Sequence, residues 1–101
     1  MTKHVLVVWA SVEPEVEAEW NRWYNEVHLP EIVACPGFHS GQRYTATAPD
    51  GSRRYVAIYE VDGPQALESP EFKARRGWAE FAGRVRWETQ LFARIAEARA
   101  P

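Results

Sequence analysis

The sequence contains only one cysteine, Cys35, in 101 residues. A single cysteine cannot form an internal disulfide bond, and the neighbouring Ala34 and Pro36 supply no base or cation that would activate its thiol. Cys35 is therefore expected to be inert. The first residues also lack the charged, apolar and small-residue pattern of a signal peptide. Together these absences predict a reducing, cytoplasmic location.

Long apolar runs and a surplus of one charge are missing as well. The longest uninterrupted apolar run covers residues 5–10, whereas a membrane-spanning helix needs roughly 20 residues. The formal net charge is -2, which offers phosphate groups no long-range attraction. The basic cluster of Lys73, Arg75 and Arg76 fits a solvated helix face. We therefore expect neither a membrane nor a nucleic acid as a partner.

The sequence has no glycine-rich dinucleotide motif, no phosphate-binding P-loop and no nucleophile elbow of the G-x-S-x-G type. Its three histidines, His4, His28 and His39, do not have the spacing of a known metal site. These absences argue against dinucleotide-dependent enzymes, nucleoside triphosphatases and serine hydrolases. Neither a metal nor a cofactor is predicted.

Large apolar side chains are abundant, since 46% of the residues are hydrophobic, 13% are aromatic and five are tryptophan. A chain of this length is sufficient for one domain, residues 1–101, with a hydrophobic core. Residues 5–10 are apolar at every position, as in a strand buried on both faces. Pro14 and the acidic residues around it then favour the start of a helix.

The first predicted helix is amphipathic. Its expected packing face follows spacings of four, three and four residues and consists of Val16, Trp20, Trp23 and Val27. The helix is expected to end near Leu29, because Pro30 disfavours the α conformation in the residue before it and lacks a backbone donor. Pro30 can itself open a further short helical turn.

The rest of the chain alternates between strand and helix patterns. Residues 38–47 are mixed, as on an edge strand, and residues 54–61 are apolar on both faces. The turn residues 48–52 predict a hairpin between them. Residues 69–71 (Ser-Pro-Glu) can cap a second helix, and the alternation over residues 85–95 predicts a last strand. The second helix is expected to carry Phe72, Trp78, Ala79 and Phe81 and to fray or bend around Gly77 and Gly83.

The element order β-α-β-β-α-β predicts an α+β, ferredoxin-like fold. The first and third strands, which are apolar on both faces, then lie at the centre of a four-stranded antiparallel sheet with the order 4-1-3-2. Right-handed crossovers place both helices on the same face of this sheet. The other face carries large apolar side chains and needs a cover. A second copy of the chain is the simplest cover, so we predict a homodimer.

Residues 20–38, WNRWYNEVHLPEIVACPGF, contain the densest group of side chains suited to chemistry. His28 lies four residues after Tyr24 and three after Asn25, so all three can meet on one side of a helix. A neutral imidazole at this place can take or give a proton near neutral pH. Alternatively, His28 caps the helix end and bonds the carbonyl groups that Pro30 leaves free. The residues alone leave both interpretations open.

Tyrosines and tryptophans elsewhere in the chain offer further contacts. Tyr44 on the second strand and Tyr55 or Tyr59 on the third can donate hydrogen bonds to a carbonyl oxygen or a developing enolate. Three tryptophans suit the walls of a pocket for a flat aromatic molecule: Trp9, Trp78 and Trp87. All of these side chains are equally suited to packing in the core.

The segments WNRWYNEVHLPEI, CPGF and RRYVAIYEV, together with Tyr44, resemble the EthD-like branch of the dimeric α/β-barrel superfamily. The resemblance extends over nearly the whole chain. It implies a ferredoxin-like protomer, a homodimeric α/β barrel and a cofactor-free pocket between the sheet and the helices. His28 stands where relatives have a histidine that faces the pocket, whereas Asn25 stands where they often have Asp. No histidine follows residue 40. The chain therefore lacks a recognisable counterpart of the axial haem histidine and departs from the haem-binding branches.

The leading functional hypothesis is a cofactor-independent enzyme that performs general acid/base chemistry on a hydrophobic aromatic or polyketide-like substrate. Cyclisation, isomerisation or dehydration would fit, with His28 as acid/base and with Asn25 and Tyr44 orienting the substrate. The predicted substrate-binding residues are Trp9, Tyr24, Tyr59, Trp78 and Trp87. One alternative is a cofactor-free monooxygenase of aromatic substrates. Another is a non-catalytic, small-molecule-binding or stress-associated dimer.

Overall fold

Four antiparallel strands form one sheet in the computed structural model, which describes residues 4–101. The strands are β1 (His4–Val12), β2 (Phe38–Thr47), β3 (Arg53–Val61) and β4 (Val85–Ala93). Their spatial order is β2-β3-β1-β4, which confirms the predicted order 4-1-3-2 and the α+β, ferredoxin-like class. The two strands that are apolar on both faces, β1 and β3, lie at the centre, where each has a neighbouring strand on both sides.

One long helical stretch covers the first crossover. It consists of α1 (Glu17–Trp23), a π-helical turn (Tyr24–His28) and α2 (Leu29–Val33). The second crossover contains a shorter helix, α3 (Pro70–Arg75). Three short 3₁₀-helical segments lie between these elements, at Pro14–Val16, Pro64–Glu68 and Ala79–Phe81. Within residues 4–101, no helix is both long and apolar enough to cross a membrane.

The predicted short helical turn that Pro30 opens is confirmed as α2, but the predicted break near Leu29 is wrong, since the helical stretch continues through Pro30 to Val33. The reason is the π turn. The N–H group of Leu29 donates to the carbonyl oxygen of Tyr24, five residues earlier, so the hydrogen-bond ladder is already widened where proline lacks a donor. Pro30 then occupies the first turn of α2, where its missing N–H is tolerated.

The π turn also changes which residues the helical stretch buries. Val27, predicted on the packing face, is 48% exposed. The fully or nearly fully buried positions instead recur every four residues, at Trp20, Tyr24, His28 and Ile32. These side chains pack against the helix-covered face of the sheet.

Helix α3 begins as predicted and ends earlier than expected. The side-chain oxygen of Ser69 accepts a hydrogen bond from the backbone N–H of Phe72 at 3.0 Å, and Pro70 occupies the first turn. The helix ends at Arg75, and Gly77 follows with a φ of 107°. Trp78 is therefore buried from a loop and not from the helix.

The sheet has one covered and one open face. Leu6, Ala57 and Tyr59 face the helices and are buried. On the opposite face, Trp9 is 43% exposed and Phe92 is 44% exposed, and their rings contact each other edge to face. The open face is thus markedly apolar.

Candidate active site

A cleft of about 660 Å³ lies between the helical stretch, α3 and the helix-covered face of the sheet. Small-molecule sites commonly have volumes of roughly 300–1,000 Å³. The side chains that give this cleft chemical character are Tyr24, His28, Tyr59, Trp78 and Trp87. We call it the His28 cleft. The π turn contributes the first two of these residues, and the central strand β3 contributes Tyr59.

His28 is 4% exposed and held in one orientation. Its Nδ1 atom lies 3.1 Å from Oε1 of Glu31. Its ring stacks on that of Trp23, with centroids 4.6 Å apart and an angle of 16° between the planes. A carboxylate only accepts hydrogen bonds, so Nδ1 carries the proton of the neutral imidazole. The other nitrogen, Nε2, then has a free lone pair and makes no hydrogen bond to a described residue.

Burial lowers the pKa of His28, while the hydrogen bond and the charge of Glu31 raise it. Burial is the larger effect, and it disfavours the charged imidazolium. His28 is therefore neutral at neutral pH and has the protonation state of a general base.

Two buried phenol groups lie beside the histidine. The hydroxyl oxygens of Tyr24 and Tyr59 are 2.9 Å apart, and each residue is only 2% exposed. Burial raises the pKa of both hydroxyls, so both remain protonated at neutral pH. One hydroxyl donates to the other, which leaves one phenolic hydrogen without an acceptor among residues 4–101. The pair can thus donate one hydrogen bond to a ligand.

Aromatic rings form the walls of the His28 cleft. Trp78 lies 5.8 Å from the imidazole of His28, measured between ring centroids, and 6.2 Å from the ring of Trp87. Trp87 is 54% exposed and stands at the rim. The Nε1 atom of Trp78 is buried and lacks a hydrogen-bond partner within the described chain. Such walls suit a flat, largely apolar molecule.

The structure brings together five of the eight predicted site residues: His28, Tyr24, Tyr59, Trp78 and Trp87. The other three lie elsewhere. Asn25 is exposed and accepts a hydrogen bond from Arg43. Tyr44 and Trp9 pair in register with Val56 from the two sides, which places both on the open face of the sheet, opposite the cleft. The expectation that Asn25 and Tyr44 meet His28 is therefore wrong for this protomer.

The alternative interpretation of His28 as a helix-end cap is also wrong. The helix does not end at this residue, and the imidazole bonds the carboxylate of Glu31 and, among residues 4–101, no backbone carbonyl. Sequence reasoning missed Glu31, although its spacing of three residues from His28 on a helix was a usable signal. It also missed the stacking of Trp23 on His28, because a five-residue spacing does not bring side chains together in a regular α-helix.

Among residues 4–101, no group of three or more His, Cys, Asp or Glu side chains is placed to hold a metal ion. Cys35 is buried, and its Sγ atom lies 3.5 Å from the carbonyl oxygen of Glu31. It does not line the His28 cleft.

The fold is that of ferredoxin-like proteins, including members of the EthD family. An EthD family protein from Bacillus halodurans superimposes with a TM-score of 0.70 at 20% identity, covering 94% of this chain and 100% of that chain. SnoaB, a cofactor-independent oxygenase from Streptomyces nogalater, gives 0.64 at 20% identity, covering 100% and 99%. A dimeric ferredoxin-like protein from an uncultured marine organism gives 0.65 at 14% identity, covering 97% and 100%. These likenesses confirm the EthD-like resemblance at the level of the fold.

The sequence itself matches one family over residues 3–98, described as a domain of unknown function, DUF4286. The protein belongs to this family. No curated protein matches the sequence significantly.

Proposed function

We propose that the protein is a cofactor-independent enzyme in which His28 acts as general base on an aromatic or enolisable substrate in the His28 cleft. The observation that carries this proposal is the environment of the imidazole. Its Nδ1 atom is fixed by Glu31, its pKa is lowered by burial, and its Nε2 lone pair is free beside aromatic walls. This combination matches what a general base requires at neutral pH.

The two tyrosine hydroxyls complete the proposed reaction. When Nε2 of His28 removes a proton from a carbon next to a carbonyl group, negative charge develops on the carbonyl oxygen. The free O–H of the Tyr24–Tyr59 pair can donate to that oxygen and stabilise the enolate. Return of the proton at another position gives isomerisation. Loss of a β-hydroxyl group, which takes the proton from the His28 imidazolium and leaves as water, gives dehydration. Attack of the enolate carbon on a second carbonyl group of the substrate, whose oxygen takes the proton, gives cyclisation. All three outcomes share the same first step.

The first step can be tested without knowledge of the natural substrate. Wild-type protein is expected to accelerate deuterium exchange at the acidic carbon of 2-tetralone, a flat aromatic ketone, in D₂O. His28→Gln should lower the protein-dependent exchange rate by a factor of about 10²–10⁴, the usual contribution of a general base. His39→Gln is the matched control, because His39 is exposed and bonds Asp62 away from the cleft.

Three results would decide between the proposals. Equal exchange by wild type and His28→Gln, with His28→Gln still folded, would refute a base role. Tight binding of aromatic ketones without any exchange would favour the non-catalytic binding protein. Exchange that depends on His28 would support the proposed enzyme.

A cofactor-free monooxygenase is the second candidate, supported by the fold shared with SnoaB. In this case His28 would deprotonate an electron-rich phenol, which then reacts with O₂. One oxygen atom enters the product as a quinone oxygen and the other leaves as water. An oxygen electrode with 1-naphthol tests this: stoichiometric O₂ consumption that is lost in His28→Gln would favour the monooxygenase, and turnover without O₂ would exclude it.

We also propose that the open face of the sheet is covered by a second copy of the chain. Trp9, Tyr44 and Phe92 are each between 43% and 54% exposed on or near this face. Exposed apolar surface of this kind marks an interaction site. The dimeric state of one structurally similar ferredoxin-like protein is consistent with this proposal.

A further inference from the structure

Arg43 lies directly behind the tyrosine pair of the His28 cleft. It is a half-buried residue of β2. Its guanidinium carbon is 4.1 Å from the centroid of the Tyr24 ring, 5.1 Å from that of Trp20 and 5.4 Å from that of Tyr55. These are cation–π distances, and the closest one is to the ring that carries a cleft hydroxyl.

The hydrogen-bond partners of Arg43 are unusual because they are neutral. Its Nη1 atom donates to Oδ1 of Asn25 at 2.6 Å, and its Nη2 atom donates to Oδ1 of Asn21 at 2.9 Å. Within residues 4–101 no carboxylate forms an ion pair with Arg43. A partly buried arginine is normally paired with an acid. Here the positive charge is oriented by two amides and is not neutralised.

The nearest acid in this network is one step removed. Glu17 accepts a hydrogen bond from the hydroxyl of Tyr55, and that hydroxyl in turn accepts from Nδ2 of Asn21. Glu17 is therefore occupied by a phenol and does not contact the guanidinium.

The charge of Arg43 acts on the groups proposed to carry the chemistry. It lowers the pKa of Tyr24 and of Tyr59, opposing the larger effect of burial. It also lowers the pKa of His28, in the same direction as burial. A cation at this place therefore favours negative charge at the hydroxyl pair and a neutral imidazole.

We propose that Arg43 is a positioning residue of the His28 cleft that fixes the Tyr24 ring and stabilises negative charge on a substrate oxygen bound by the Tyr24–Tyr59 hydroxyl pair. The preferred ligand is then a molecule whose oxygen becomes anionic, an enolate or a phenolate. This inference rests on the proposed function for the identity of the cleft. The inference also gives a physical reason for the amide at residue 25, because the carboxylate of an Asp at this position would neutralise the guanidinium of Arg43.

A single conservative substitution tests the inference. Asn25→Asp keeps the size and the acceptor atom of residue 25 and adds the missing carboxylate. The probe is 4-nitrophenol, whose phenolate form absorbs in the visible range and is populated near neutral pH. Arg22→Gln is the matched control, since it changes the net charge by the same amount from an exposed position on α1 that contacts neither tyrosine.

Wild-type protein is expected to bind the phenolate more tightly than the neutral phenol. Asn25→Asp should weaken phenolate binding about 3- to 10-fold, as expected for one compensating charge at partly screened distances, and should leave binding of the neutral phenol unchanged. Arg43→Met should lose the preference for phenolate, and Arg43→Lys, which keeps the charge, should retain part of it. The control Arg22→Gln should behave like wild type.

Two outcomes would overturn the inference. One is a wild-type protein with no preference for phenolate over phenol. The other is an Asn25→Asp protein whose phenolate affinity equals that of Arg22→Gln. The proposed base role of His28 fails separately, through the exchange experiment. If exchange does not depend on His28 and Asn25→Asp still weakens phenolate binding, only the base role is refuted.

Discussion

Removal of one hydroxyl from the Tyr24–Tyr59 pair is expected to lower the free energy of unfolding by more than half of the loss that follows removal of both hydroxyls. The two oxygens are 2.9 Å apart, and both residues are 2% exposed. Tyr24→Phe keeps the aromatic ring and its contact with Arg43 and deletes only the oxygen. The hydroxyl of Tyr59 then remains buried without its partner. The same holds for Tyr59→Phe with the roles exchanged.

The expected magnitude follows from this geometry. A buried polar group left without a partner costs about 1–3 kcal/mol. Both residues line the His28 cleft. Water in the cleft that reaches the remaining hydroxyl would partly satisfy it, so the cost of each single substitution is placed near the lower end of that range. The double substitution removes both polar groups, so its cost should fall below the sum of the single costs by about 1 kcal/mol.

Urea unfolding followed by tryptophan fluorescence measures these free energies of unfolding, at one fixed protein concentration. A difference of about 1 kcal/mol corresponds to roughly 4–8 °C in the melting temperature of a domain of this size. Arg22→Gln is the control, because Arg22 is exposed on α1, and the free energy of unfolding of this variant should change by less than about 0.5 kcal/mol. Strictly additive costs for Tyr24→Phe and Tyr59→Phe would refute the hydrogen-bonded pair.

Three further predictions concern packing, protonation and assembly. In Gly41→Ala the new Cβ would lie 2.8 Å from Cδ1 of Tyr59, so chemical denaturation should show a loss of about 1–3 kcal/mol, and an unchanged stability would contradict the close contact. Because the pKa of His28 is lowered, its neutral form contributes stability that is complete above about pH 6.5 and is lost as the pH falls through the lowered pKa. Glu31 raises the pKa of His28, so an NMR titration of Glu31→Gln should give a still lower pKa for His28. A higher pKa in Glu31→Gln would contradict the hydrogen bond between the two residues. Trp9→Glu places a charge on the open sheet face and should yield monomers by light scattering, whereas an intact dimer would place the interface elsewhere.

The strands could be predicted well from the sequence because their signals are local. A strand that is apolar at nearly every position is typical of the centre of a sheet, and this identifies β1 and β3 as the central strands. The edge positions of β2 and β4 then follow from the ferredoxin-like order. The observed bounds extend β1 by a few residues beyond residues 5–10 and end β4 at Ala93.

The side of the sheet on which Tyr44 lies could not be predicted, because a β-bulge intervenes. The pairing of β2 with β3 shifts register between Phe38 and Ser40. Phe38 faces the helices, and simple alternation from it would turn Tyr44 toward the cleft. The one-residue shift reverses the faces of the strand, so Arg43 points to the helices and Tyr44 away from them. This single irregularity explains both the misplaced tyrosine and the missed arginine.

The helical part of the site depends on another one-residue irregularity. In a regular α-helix, side chains five residues apart diverge by about 140°, yet the rings of Trp23 and His28 stack 4.6 Å apart. The π turn Tyr24–His28 supplies the wider turn that makes this stack possible. No pattern of apolar residues with a period of 3.6 predicts it, and the expected burial of Val27 failed for this reason.

The bulge in β2 and the π turn act on the same small region. The π turn contributes Tyr24 and His28 to the cleft, and Asn21 and Asn25 on the same helical stretch face β2. The bulge turns Arg43 toward those two amides. Without the bulge, regular alternation from Phe38 would turn Arg43 away from the ring of Tyr24, whose centroid now lies 4.1 Å from the guanidinium carbon. π turns are rare and are frequently found at functional sites. Two such irregularities that converge on one hydroxyl pair therefore support the assignment of this cleft as the site of the protein's chemistry.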